Sequence, residues 1–303
     1  MSLQKTQNEI NRFKEERNAV ILAHYYQVPE VQDVADHVGD SFALSKLAAE
    51  LSQPLIVFCG VSFMAETAKI LSPEKTVLLP RGDAGCPMAD MVTADDVIEL
   101  KEKHPDAAVV SYVNSSTEVK VLSDICCTSS NAEKVIRSLS QRKIIFLPDE
   151  NLGSYCAELI PEKEFILFNG FCPVHEEVQA IDVKLARDEN PDALFAVHPE
   201  CRAEVRMEAD FIGSTGQIID FVRTTDHGSF IIGTESGILH PILRDNPGKK
   251  IVSLTPGFIC PNMKKTSLND VLISFQKMQQ EIILEKEVLD KARLPLMKML
   301  QVK

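Results

Sequence analysis

No stretch of the chain approaches the roughly 20 consecutive apolar residues that a membrane helix requires, so a membrane partner is not expected. A long basic stripe is missing as well. Its 44 acidic residues outnumber 32 basic ones for a net charge of -12, which argues against an electrostatic grip on nucleic acid. A small anionic substrate stays open, because helix N-termini and a few local cations bind carboxylate or phosphate inside acidic proteins. Residues 1–16 are polar and lack the apolar core and cleavage site of a secretory signal, so the cytoplasm is the expected compartment. Also absent are a CxxC pair, the common spacing of zinc thiolates, and the CxxxCxxC pattern of radical chemistry. No low-complexity linker divides the 303 residues, a length that allows two or three domains, so tight packing of the units is expected and their number has to come from pattern.

What the chain does have is a series of short apolar runs, at 20–23, 55–59, 109–113, 144–147, 165–168, 194–197 and 251–254, alternating with helical patterns as βαβ units do. Right-handed crossovers then give parallel sheets covered by helices on both faces, so the fold class is α/β. Three run ends carry polar tails: ILAHYYQ around His24, VVSYVNSS around Tyr112 and FAVHPEC around His198, spaced 88 and 86 residues apart. Seventeen residues beyond each lies a hydroxyl placed to start a helix: Ser41, Ser129 and Thr215, the last preceded by Ser214. Each unit then closes on a Cys-Pro step, at Cys86, Cys172 and Cys260, 86 and 88 residues apart. With 16 prolines in the chain, eight cysteines would be followed by proline roughly 0.4 times by chance, against three observed. The period is longer than that of a solenoid, so the units are expected to be three small domains, residues 1–88, 89–174 and 175–261. Beyond them Ser267 and Asp270 have capping-box spacing, and Leu268, Val271, Leu272, Phe275, Met278 and Ile282 form one apolar helix face. The tail, 262–303, is expected to pack back on the first unit, with Pro295 kinking or ending its last helix.

In open parallel sheets ligands bind beyond the C-terminal strand ends, where all these polar features fall. Three like units meeting around a pseudo-threefold axis bring one cysteine each to a shared cavity. That arrangement suits an iron-sulfur cluster held by three thiolates with one iron left open as a Lewis acid. An isolated cysteine is more often a small buried hydrophobe, and the threefold register is what reverses that reading here. Zinc is the rival metal, helped by the Cys172 to His175 spacing. Cys59, in an apolar run, is expected in the core, and it is a poorer ligand candidate, as are Cys126, Cys127, Cys156 and Cys201, which have no partners in register. Ser41, Ser129, Ser214 and Thr215 are expected to cap helices, and three helix N-termini facing one cavity would make an anion trap. His24, His198 and Glu200 sit just past strand ends, where titratable groups serve as acids and bases.

The motifs AHYYQVPEVQDVADHVGDS, GVSFMAETAKIL, CPMA, YVNS, CTSSNA, CPVH, HPEC, GSTGQ and NMKK closely resemble those of the quinolinate synthase family, from about residue 20 to the C-terminal helix. The resemblance implies three homologous three-layer α/β/α domains with parallel sheets, set with pseudo-threefold symmetry around a 4Fe-4S cluster on Cys86, Cys172 and Cys260. It implies the condensation of iminoaspartate with dihydroxyacetone phosphate to quinolinate, with loss of phosphate and two waters, in de novo NAD biosynthesis. An L-aspartate oxidase or aspartate dehydrogenase would supply the imine. By motif match His24, Tyr26, Ser41, Tyr112, Asn114, Ser129, His175, His198, Glu200, Ser214 and Thr215 line the site, with Tyr26 and Glu200 as the main proton-transfer groups beside His198 and His24. Lys264 or Lys265 would add a cation for the anionic substrates. Some members carry a C-terminal CxxCxxC; here Pro261, Asn262 and Met263 follow Cys260, so a redox switch of that kind is not expected. Two alternatives remain at this point: a cluster-dependent hydro-lyase of the aconitase type, and a metal-stabilised scaffold or redox sensor without turnover.

Overall fold

The computed structural model describes residues 3–302; Met1, Ser2 and Lys303, which the expected units include, lie outside. Twelve strands among the described residues form three sheets. The first holds β1 (Ala19–His24), β2 (His37–Gly39), β3 (Leu55–Cys59) and β4 (Thr76–Leu78). The second holds β5 (Ala108–Tyr112), β6 (Ile125–Cys127), β7 (Lys143–Leu147) and β8 (Glu164–Leu167). The third holds β9 (Leu194–Val197), β10 (Phe211–Ile212), β11 (Ser229–Gly233) and β12 (Lys250–Ser253). Every pairing is parallel, and each sheet runs in the order second, first, third, fourth. β1, β3 and β5 are buried along their whole length, as strands covered by helices on both faces must be, which is why they read as mainly apolar runs.

The repetition extends to side chains. An aspartate ahead of each unit's second strand accepts the backbone N–H of a first-strand residue: Asp36 from Ile21 (2.8 Å), Asp124 from Val109 (2.8 Å) and Asp210 from Phe195 (2.7 Å). The chain leaves the first strand in one direction and crosses back to the third, so a crevice opens between those two strands at their C-terminal ends.

One apolar cluster runs without a break from Phe58 and Met64 of the first unit to Ile125 and Phe146 of the second. The third unit keeps its own two clusters, centred on Phe195 and Phe230. The C-terminal tail splits between two units. Helix Leu268–Lys277 packs on helix Leu3–Glu16 and β3, with the Phe275 and Phe13 rings stacked 6.4 Å apart. Helix Lys286–Gln301 lies against helices Thr117–Leu122 and Ser62–Leu71 and against β6, burying Leu289, Ala292, Leu296 and Met299.

Two tail expectations need correction. The expected apolar face ends early: the capping box at Ser267 and Asp270 forms, but the helix stops at Lys277 because Met278 turns left-handed (φ 48°). Ile282 then lies alongside β4, its N–H bonding the Val77 carbonyl (2.9 Å) while the Leu79 N–H bonds the Gln280 carbonyl (3.0 Å). That covers an otherwise open sheet edge. Pro295 does not end the last helix, which continues to Gln301; burial of its apolar face offsets the backbone bond that proline cannot make. Since Leu296 is fully buried where the first and second units meet, Leu296→Ala should cost about 3 kcal/mol in urea unfolding. A loss below about 1 kcal/mol would show that this helix is not part of the shared core.

Candidate active site

At the C-terminal ends of the three sheets lies a cavity of about 150 Å³ walled by all three units. Cys86, Cys172 and Cys260 all line it, and no disulfide joins them. Of the other residues singled out in the sequence, His24, Tyr26, Ser41, Tyr112, Asn114, Ser129, His175, His198, Glu200 and Thr215 also line it. Ser214 does not; it is fully buried behind the wall. Cys59, Cys126, Cys127, Cys156 and Cys201 are buried away from the cavity.

The repeat explains the wall. His24, Tyr112 and His198 occupy one position of the three units, and Tyr26, Asn114 and Glu200 another two residues on, so each strand end delivers a pair of polar side chains. In two units the local turn is alike: the Tyr26 N–H bonds His24 Nδ1 (3.1 Å) and the Glu200 N–H bonds His198 Nδ1 (3.3 Å). A neutral imidazole accepting at Nδ1 carries its proton on Nε2, and His198 Nε2 sits 3.2 Å from the Ser129 hydroxyl. Burial pushes both histidines down to about 4, so both are neutral at pH 7.

Glu200 is the buried charge of the site. Burial opposes its ionisation, but the hydrogen bonds from His175 and Tyr112 outweigh that and hold its carboxyl below the usual range. Tyr112 donates its O–H to Oε1 (2.7 Å), and His175 Nδ1 lies 2.9 Å from Oε2. The same His175 nitrogen is 3.1 Å from the Cys172 sulfur, while its Nε2 meets the Thr234 hydroxyl at 2.9 Å. Thr234 also contacts the Tyr26 hydroxyl (2.6 Å), to which Thr215 donates (3.0 Å). Burial and then the Glu200 charge push both tyrosines well above their ordinary value, so both stay protonated donors.

Burial raises the Cys86 thiol to about 12 and pushes Cys260 up; at Cys172 burial and the Glu200 charge act together. Three half-buried thiols beside an ionised carboxylate form a donor set that a cation would satisfy, since thiols that resist ionisation alone yield their protons to a metal. Cys172, His175 and Glu200 offer ligand atoms all within 4.8 Å of one another, so a metal cofactor fits these residues.

The capping expectations hold in one place. Ser214 caps helix Thr215–Thr224, accepting the Gln217 N–H, with Thr215 in its first turn. Ser41 begins helix Ser41–Glu50, but its cap is Asp40, whose carboxylate accepts the Ala43 N–H (2.9 Å). Ser129 lies ahead of helix Ala132–Ser138, because Asn131 Oδ1 takes the Thr128 N–H and delays the start. The lysines do not line the cavity. Lys264 is tied to Glu235 (2.8 Å) and the Tyr26 carbonyl (2.7 Å), and Lys265 to the Asp83 carbonyl (2.6 Å).

Asp40 and Thr234 were missed by sequence reasoning. An aspartate just ahead of an apolar helix pattern is itself a cap signal, and it could have been read. Asp40 Oδ2 further accepts from Ser130 of the second unit (2.9 Å) and Ser214 of the third (3.3 Å). Thr234 carries no signal, since its role exists only through contacts with Tyr26 and His175.

Parallel α/β units that converge on a cavity carrying thiols, imidazoles and a carboxylate point to a metal-binding protein acting on small molecules. More particularly, the chain belongs to the quinolinate synthetase A protein family, whose pattern matches residues 8–301. It is 54% identical to the quinolinate synthase of Caldicellulosiruptor bescii, over 99% of both chains. The quinolinate synthase of Caldicellulosiruptor saccharolyticus is 53% identical over the same share, and that of Clostridium perfringens 53% over 94% of this chain and 95% of its own.

The neutral histidines set a stability slope. Unfolded, they take up protons near pH 6.5; folded, only near pH 4, so their contribution is complete above about pH 6.5 and lost as pH falls toward 4. Urea unfolding of His24→Gln/His198→Gln should therefore change less between those two pH values than the unsubstituted protein does. An unchanged slope would mean that neither imidazole is held neutral.

Proposed function

We propose that the chain is a quinolinate synthase of de novo NAD biosynthesis, acting in the cytoplasm. Iminoaspartate and dihydroxyacetone phosphate join into one pyridine dicarboxylate ring, releasing phosphate and two waters, with no change in overall oxidation state. An aspartate oxidase or dehydrogenase supplies the unstable imine. The observation that carries this reading is one repeat-matched cysteine from each unit lining a cavity that also holds an ionised Glu200 and a protonated Tyr26.

Cys86, Cys172 and Cys260 would hold a 4Fe-4S cluster, which supplies a Lewis-acidic open iron for the loss of hydroxide. The chain's own groups do the rest. Glu200, fixed by Tyr112 and His175, takes a proton from a carbon next to a carbonyl or imine. Tyr26, held by Thr234 and Thr215, returns a proton to a developing oxyanion or leaving group. His24 and His198, neutral, offer Nε2–H donors without adding charge. Carboxylates and phosphate need donors in a cavity with no free cation among its lining residues; Ser41, Ser129, Asn114 and Thr215 with the helix starts beside them meet that need.

The test is anaerobic reconstitution of eight single Cys→Ala variants with iron and sulfide analysis. Loss of the cluster is expected at Cys86, Cys172 and Cys260 alone, and a cluster surviving Cys172→Ala sinks the ligand assignment. A single zinc on Cys172, His175 and Glu200, which their 4.8 Å grouping favours as a second reading, predicts instead that Cys86→Ala and Cys260→Ala keep full metal. For the reaction, Glu200→Gln should lower the rate of quinolinate formation from the imine and dihydroxyacetone phosphate by roughly 100-fold or more at unchanged cluster content. A rate within threefold of the unsubstituted enzyme would remove Glu200 from proton transfer, and dehydration of a hydroxy acid with no quinolinate formed would favour the hydro-lyase.

A further inference from the structure

The residue two positions past each unit's third strand is equivalent in the repeat: Val61 after Cys59, Asp149 after Leu147 and Glu235 after Gly233. In every unit the next N–H bonds the carbonyl two residues ahead of the Cys-Pro cysteine. Ser62 reaches Ala84 (2.8 Å), Glu150 reaches Gly170 (2.7 Å) and Ser236 reaches Phe258 (2.8 Å). This backbone tie sets the side chain at that position behind the cysteine.

In two units the side chain is a fully buried acid with one oxygen on the cysteine N–H and the other on an N–H of the turn or helix that follows. Asp149 Oδ2 accepts the Cys172 N–H (3.2 Å) while Oδ1 accepts the Leu152 N–H (2.6 Å) at the start of helix Glu150–Leu159. Glu235 Oε1 accepts the Cys260 N–H (3.2 Å) while Oε2 accepts the Gly237 N–H (2.7 Å) in the turn that follows, and Lys264 adds its ammonium to both oxygens (2.8 and 3.1 Å). Both are 0% exposed, and Val61, buried at the third equivalent position, has no acceptor to offer. Capping alone does not call for a buried acid, since the Ser116 hydroxyl caps helix Thr117–Leu122 in the same protein. The shared feature is that one carboxylate locks a cysteine's backbone to the rigid element behind it.

We propose that Asp149 and Glu235 are positioning residues for two arms of the metal centre, Cys172 and Cys260, a support that the Cys86 arm, backed by Val61, does without. The proposal rests on the reading of the three cysteines as cluster ligands. An amide in place of either carboxylate has a single acceptor oxygen and cannot serve both N–H groups, so the cysteine loop comes loose from its support.

The experiment follows cluster loss from the anaerobically reconstituted protein to an iron chelator, by absorbance and by iron remaining per chain. Asp149→Asn and Glu235→Gln are expected to lose the cluster about tenfold faster than the unsubstituted protein. Asp149→Glu and Glu235→Asp, which keep two acceptors, should recover at least half of the lost retention. Ser116→Ala, which removes a cap in the second unit outside the cavity wall, should match the unsubstituted protein. Should Asp149→Asn fail to fold, Asp149→Ser, which keeps a helix cap and loses the reach to Cys172, takes its place with the same tenfold expectation. Rates within twofold for the amide or serine variants, or equal acceleration in Ser116→Ala, overturn the proposal. If the unsubstituted chain takes up no cluster, or Cys172→Ala and Cys260→Ala retain it, the ligand reading fails instead.

Discussion

The architecture depends on keeping one carboxylate charged out of water. An ionised Glu200 is costly in a buried site unless donors surround it, and its donors come from different parts of the chain: Tyr112 from the end of β5, His175 from the short helix Pro173–Glu176 between the second and third sheets. The charge is therefore bearable only when the units are assembled around it. His175 extends the dependence, because the nitrogen that serves Glu200 also meets the Cys172 sulfur and its other nitrogen leads through Thr234 to Tyr26 of the first unit.

That polar wiring contrasts with how the units are otherwise joined. The first and second share a continuous apolar core, sealed by the helix that ends the chain. The third meets them through directional contacts: Gln32 to the Gly237 carbonyl (3.0 Å), Asp40 to Ser214, and buried Arg206 to Glu158 (2.9 Å). Gly237 is also a steric requirement, since a Cβ there would fall 2.6 Å from the Tyr25 carbonyl oxygen. Hydrogen bonds need tight geometry where apolar packing tolerates adjustment, so the site's precision comes from the third unit and its bulk stability from the other two.

Much of this was legible in spacing. Period, strand runs and Cys-Pro steps predicted a parallel α/β protein with three like units, and the sheets share one strand order. Local chemistry was less legible. Ser41 gave way to Asp40 as a cap by one position, because a carboxylate next to a hydroxyl is the stronger acceptor for the helix N–H groups. Ile282 kept an apolar period that suited a helix, but the left-handed Met278 sent it to β4. Contacts such as Tyr112 to Glu200 or Asp40 to Ser130 join separate units and leave no mark in the period of any one of them. Repeat alignment finds equivalent positions; it does not say which of them touch.

The strip of residues that lies beside β4 has a consequence for the order in which the molecule comes together. Chains emerge from the ribosome starting at their N-terminus, and domains ordinarily fold in that sequence. Here the first sheet borrows its edge cover from Gln280 and Ile282, and its shared core borrows Leu289 to Met299. The third sheet takes its strands from residues 194–253 and has them all before that cover is made. The two units translated first are thus the last to be closed.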